Sequence, residues 1–387
     1  MRCFRRIVRI LGTALMFWIC LCQVQAAGAQ TETEDGEISV VQEELLGQIE
    51  LEEIQKLVDG ILDEKSFSIK DAVMNMMKGE EPISKEAVQD MVRSFFFSGI
   101  NQEKGMLFRI LLLILLAAVL SNFADVFENG YAGNVSFYIV YLVLFMTLME
   151  NFANLGNSLT EYLVSLTELM RVLAPAYFIA TAASAGASTA TVFYEVAMLL
   201  IWTIQWFLVY ILLPGAKICV LLKLVNHLSR EEMLGKMAEL LEIMINWGLK
   251  TLSGTAVGLQ VIRNLVAPVM DSLKRSVIGK TAAAIPGIGN AVNTITELVL
   301  TSAVLVRNSL GGVSLVLLAT AGLGPILHYG FLSLSYRFLA ALAQPVSDKR
   351  IVGALSSMGE GCAMLLKIFF TAELLCMLAF LILLAGG

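Results

Sequence analysis

Histidine is almost absent: His227 and His328 are the two imidazoles in 387 residues. Neither belongs to a metal-ligand cluster, so no metal centre is expected and few general bases are on offer. Charge is scarce as well. Asp, Glu, Lys and Arg make up 16% of the chain and hydrophobic residues 57%, against about 25% and roughly 45–50% in ordinary soluble domains. A soluble fold cannot hide that much apolar surface. Of the six cysteines, Cys3, Cys20 and Cys22 lie near the start and Cys219, Cys362 and Cys376 in apolar or membrane-proximal sequence. Residues 30–105 contain none, which excludes a disulfide there.

What is present falls into three blocks: an Arg-rich apolar leader, an acidic stretch, and a long apolar body. The leader carries Arg2, Arg5, Arg6 and Arg9, an apolar core over residues 10–22, and small residues at Ala26, Ala27, Gly28 and Ala29. This is the pattern of a cleavable signal peptide, with cleavage expected near Ala29. Its apolar core is short for a hydrocarbon layer of roughly 30 Å, although an uncleaved anchor is the alternative. Lipidation is disfavoured, because Cys20 follows Trp18-Ile19 and Cys22 follows Cys20-Leu21 rather than small residues.

Residues 30–105 hold eighteen Asp or Glu and seven Lys or Arg, a net of minus eleven in a chain whose total is minus six. Val41, Leu45, Ile49, Ile54, Leu57, Val58 and Ile61 recur at helical spacing, and Val88, Met91, Val92 and Phe95 form a second stripe. Ser68 with Asp71 resembles a capping box, Ser84 an N-cap, and Gly79-Glu80-Glu81-Pro82 a turn. The block therefore reads as a small exported helical domain of two or three amphipathic helices. Such a unit buries too little alone and is expected to pack on the membrane body or on a partner. Its acidity argues against nucleic acid or anionic lipid as a target.

The body, residues 106–387, reads as an all-α, polytopic helical membrane domain of about six to eight spans. The clearest are 106–124, 135–155, 193–213, 312–334 and 362–384, with a sixth over 283–304. Residues 169–190 and 247–270 are apolar but interrupted by Arg171, Pro175, Arg263 and Pro268, and read as crossings, re-entrant segments or interfacial helices. Lys217, Lys223, Arg230, Lys236, Lys250, Arg263, Lys274, Arg275 and Lys280 form the largest basic concentration, which should face the cytoplasm together with Arg337, Lys349 and Arg350.

Catalytic signatures fail at the residues that matter. Gly279-Lys280-Thr281 resembles the end of a phosphate-binding loop, but Lys274 occupies the required Gly position and no buried strand precedes it. Gly287-Ile288-Gly289-Asn290 resembles an intramembrane aspartyl protease signature in which Asn290 cannot exchange the necessary proton. Leu252-Ser253-Gly254 lacks the leading Gly of a serine nucleophile turn. No enzyme, cofactor or metal is expected.

What remains are small-residue faces, helix breakers and a few charges that are costly in a membrane. Residues 181–190, including Gly186, and the Gly254/Gly258 pair suit close helix packing. Pro286, Gly287 and Gly289 at one predicted boundary, with Gly322 and Gly324 before Pro325, suggest interrupted helices. Glu195, Glu297, Lys367 and Glu373 fall in or near spans, where a central charge costs about +2.5 to 3.5 kcal/mol. Glu195 and Lys367 are expected at an interface; Glu297 and Glu373 are the candidates for a polar pathway.

Ala174-Pro175-Ala176-Tyr177 with the following small-residue run, Gly279-Lys280-Thr281 through Ile285-Pro286-Gly287, and Arg307-Asn308-Ser309-Leu310-Gly311 resemble segments of the stage III sporulation protein AE family of endospore-forming bacteria. The likeness covers essentially the whole chain. It implies a multi-pass subunit in the mother-cell membrane surrounding the forespore, with its acidic domain between the two membranes. The implied partners are the other stage III membrane and ring-forming subunits, self-assembly being open, and the implied role is in a channel or secretion-like complex. The resemblance brings no catalytic residues. The alternative from another class is a stand-alone secondary transporter using Glu297 or Glu373.

Overall fold

Ser68 begins a helix where the capping pattern expects one: its Oγ accepts from the Asp71 amide at 3.3 Å. The computed structural model describes residues 47, 51–61, 68–124, 130–185, 187–228, 234–281 and 289–384. The leader and expected cleavage site, most of residues 30–50, Gly186, Pro286 and Gly287 lie outside them. The described residues are almost wholly helical. In chain order, α1 is Leu51–Ile61, α2 Ile69–Met77, α3 Lys85–Ala124, α4 Gly130–Ala185 and α5 Ala187–Phe207; a wide π turn, Leu208–Leu212, joins α5 to α6, Leu213–Leu228. Then come α7, Gly235–Thr281, α8, Gly289–Ala343, and α9, Lys349–Leu384.

The acidic block folds as its pattern requires. Gln55 on α1 accepts from the Ile69 amide at 2.9 Å, tying α1 to the start of α2. Gly79 takes φ +78 in the turn after α2, a conformation that disfavours any side chain. Ser84 then accepts from the Ala87 amide at 3.2 Å and caps α3. The undersides are apolar: Ile54, Val58, Ile69, Ala72 and Val73 are all buried. They belong to the same core as the long helices, α1 packing on α4 and α2 on α8. The acidic unit thus rests on the helical body, and α3 runs unbroken through residue 105, the expected domain boundary.

Four helices are long and apolar enough to cross a membrane among the described residues: Tyr138–Ser184, Tyr194–His227, Leu300–Ala343 and Lys349–Leu384. Two expectations change as a result. Residues 135–155 and 169–190 share α4 through Ala185, and 312–334 lies on α8 together with the described part of 283–304. A continuous helix cannot reverse, so each pair makes one rod, about 84 Å long for the 56 residues of α4. The sequence invited division there because glycine, proline and arginine punctuate both runs. Pro175 and Pro325 nonetheless sit inside helices.

Helix α9 occupies the centre, packed against α4, α5, α6, α7 and α8. It runs antiparallel to α8, as Gly359 meets Ser333 and Arg337, Gly322 meets Glu373, and Gly311 meets Leu384. It runs parallel to α4, since Phe152 lies at Gly361, Tyr162 against Phe369 and Tyr177 against Phe380. Interhelical hydrogen bonds to backbone oxygens fix this register: Tyr177 Oη to Leu384 at 3.1 Å, Tyr329 Oη to Leu155 at 2.9 Å and Ser333 Oγ to Gly359 at 2.8 Å. At one end of the bundle Arg350 approaches Tyr138 and His227 approaches Ser357. Lys236 and Lys349, at the first turns of α7 and α9, come to that same end, so members of both basic sets gather together.

Gly361 is a point where α4, α6 and α9 meet most closely. An added Cβ would lie 2.7 Å from Val220 and 2.8 Å from Phe152. Gly361→Leu is therefore expected to overpack the core by about 1–3 kcal/mol or more. Thermal unfolding of the detergent-solubilised chain should show a lowered midpoint; an unchanged midpoint would contradict the close approach.

Candidate functional site

The apolar pattern of α9 is interrupted at Glu373, and the fold buries that residue instead of turning it outward. Glu373 is 4% exposed. Neither carboxyl oxygen has a hydrogen-bond partner among the described residues. The helix opposite supplies Gly322, where a Cβ would stand 2.5 Å from Glu373 Cδ. Two residues further along α8, Gly324 stands against Phe95 of α3, where a Cβ would be 3.4 Å from the ring. Two residues singled out in separate spans, Gly322 and Glu373, are thus one site. Its glycine is the opening into which the carboxyl group fits, within a helix that continues through Pro325.

The other candidates do not converge on it. Lys367 donates to Asn246 Oδ1 at 3.1 Å, joining α9 to α7. Glu195 is exposed on α5. Glu297 and Gly289 lie on α8 beyond its described side chains. Gly254 and Gly258 face open space on α7, where an added Cβ would meet nothing within 4 Å. Within the described chain their close-packing motif therefore joins no pair of helices.

Sequence reasoning missed two polar assemblies. Lys223 on α6 sits between Glu242 of α7 and Glu360 of α9, with Nζ at 2.8 Å and 2.7 Å from their carboxylates. The lysine side chain is 16% exposed and the carboxylates 39% and 46%. The clamp therefore binds three helices while keeping access to solvent. In the sequence Lys223 reads as one of many basic residues; its position within Leu221-Leu222-Lys223-Leu224-Val225 is the available signal. The second is Glu103 on α3, whose carboxylate lies 3.5 Å from His328 Nε2 on α8. Burial pushes the Glu103 carboxyl above its ordinary range. These contacts are spread along the bundle, and among the described residues no group of His, Cys, Asp or Glu could hold a metal ion.

Gly322 and Gly254 make a contrast that can be measured. Gly322→Ala is expected to displace Glu373 and lower the unfolding midpoint, whereas Gly254→Ala should raise it, worth roughly 0.5–1 kcal/mol for an unobstructed helix position. Differential scanning fluorimetry in the same detergent checks both. Equal effects of either sign would contradict the geometry.

The sequence that builds these helices matches a known family. The profile of the family described as Stage III sporulation protein AE matches residues 67–387. The Stage III sporulation protein AE of Bacillus subtilis (strain 168) is 22% identical over 371 residues, covering 94% of this chain and 93% of that protein. No solved structure matches. The family match takes in α2 through α9, including Gly322 and Glu373, and the chain belongs to the Stage III sporulation protein AE family.

Proposed function

We propose that this chain is a membrane subunit of a sporulation channel or secretion-like complex linking mother cell and forespore, and that it helps form or support the conduit. The observation that carries the reading is the acidic unit seated on the apolar bundle. Its undersides join the common core, while Glu52, Glu53, Asp71, Glu80, Glu86 and Asp90 are exposed. A small unit held this way presents charge in a fixed position, which suits recognition of a partner with a basic surface. Family membership supplies the sporulation context. On this reading the cleaved leader delivers the acidic unit to the space between the two membranes. The basic end of the bundle faces the mother-cell cytoplasm, and the body makes six crossings, through α3, α4, the α5–α6 pair, α7, α8 and α9. Other stage III membrane and ring-forming subunits are the partners, and the work is assembly and passage rather than catalysis.

A stand-alone secondary transporter is the second reading, favoured by the buried carboxyl group of Glu373. Affinity purification from membranes of sporulating cells, with subunits identified by mass spectrometry, separates the two. The wild-type chain should bring down other stage III subunits. Reversing Glu52, Glu53, Glu86 and Asp90 to Lys should reduce their recovery at least tenfold while leaving the chain in the membrane. Isolation of the wild-type chain alone under gentle detergent would favour the transporter.

A further inference from the structure

The α8–α9 interface holds a carboxyl group that neither helix packing nor a conduit requires. Glu373 is buried with both oxygens unpartnered among the described residues, and Gly322 packs directly on it. Three residues beyond Gly322, Pro325 lies within the same helix. Proline carries no amide hydrogen, so the Ala321 carbonyl, four residues back and adjoining Gly322, loses its intrahelical donor. Each helix therefore carries an acceptor without a donor near this contact: the Glu373 oxygens on α9 and, one residue from Gly322 on α8, the Ala321 carbonyl. An unpaired carboxylate is strongly disfavoured in such a place, whereas a carboxylic acid supplies the donor that is lacking.

We propose that Glu373 is a proton-binding site whose carboxylic acid donates to the Ala321 carbonyl freed by Pro325, and that opening of the α8–α9 interface to water releases the proton. No other reactant is needed: the O–H bond breaks, the carboxylate keeps the electron pair, and water accepts the proton.

Among the described residues, no charged side chain neighbours Glu373. Cys376, one turn along α9, is a buried free thiol beside it. Helix α8 has no titratable residue from Leu317 to Leu327. On α4, Glu161, Glu168 and Arg171 are exposed, as is Glu195 on α5. Phe95 reaches this level from α3. Lys367 lies six residues earlier on α9, bound to Asn246 of α7, and Lys223 of α6 is engaged by Glu242 and Glu360. Proton uptake at Glu373 is therefore governed by water access and by the Ala321 carbonyl. It involves α8 and α9 alone and does not depend on partner subunits.

Infrared spectroscopy of the full chain in lipid nanodiscs is the test. At neutral pH the wild-type chain should show a protonated-carboxyl band that Glu373→Gln abolishes. Pro325→Ala, which returns an N–H to the Ala321 carbonyl, should move that band to higher frequency. Sodium chloride at constant pH should leave it unchanged. A wild-type chain without a Glu373-dependent band overturns the proposal. So does loss of the band on adding sodium, which would assign the site to a monovalent cation. If Pro325→Ala fails to fold, a shift of the wild-type band to lower frequency in heavy water supports the exchangeable proton, and no shift opposes it. Glu373→Gln should still co-purify with the same partners, so failure of the proton site and failure of the conduit reading appear in different measurements.

Discussion

The close antiparallel contact between α8 and α9 is the constraint on which the remaining helices depend. Lipid tails are as apolar as leucine, so burial from water does not drive helices together inside a bilayer; packing and interhelical hydrogen bonds must do so. Here glycine lets the two backbones approach, and Ser333 uses the proximity to donate to the Gly359 carbonyl at 2.8 Å. With that pair set, α4 follows along α9, held by Tyr177 at Leu384 and by Tyr329 reaching across from α8 to Leu155. Helices α6 and α7 are then clamped to the same centre through Lys223. Few of these bonds involve charge, and those that do remain partly open to solvent.

Much of this fold could be read from residue patterns because the signals are local. Ser68, Gly79 and Ser84 each act within a few residues of themselves, so the limits of α2 and the start of α3 were legible. The apolar underside of α1, with Ile54 and Val58, was legible for the same reason; that of α2 was not picked out. Helix continuity was not. Pro175 and Pro325 weaken local hydrogen bonding, but flanking packing on α9 keeps both helices whole, and that packing is invisible in a linear window.

The candidate site was legible only in part. Glu373 stood out as an acidic residue in an apolar run, and Gly322 as a small residue near a proline. Their meeting depends on the antiparallel register of α8 and α9, which fifty intervening residues conceal. The Lys223 clamp escaped for a related reason: its two carboxylates come from helices 19 and 137 residues away in sequence. Conversely, Gly254 and Gly258 carried a packing motif that finds no partner in the described chain. Composition identifies groups that need compensation; register decides which of them provide it.

The wide turn at Leu208–Leu212 has its own consequence for α5 and α6. Leu213 donates to the Leu208 carbonyl, five residues back, just before Pro214, which has no hydrogen to donate. One surplus residue is thereby stored within a helix that otherwise advances about 100° per residue. Trp202 and Trp206 on α5 consequently keep an angular phase different from the one an uninterrupted helix would give them relative to α6. The turn acts as a vernier: it sets which side chains of α5 look outward without altering how α6 grips the central helix.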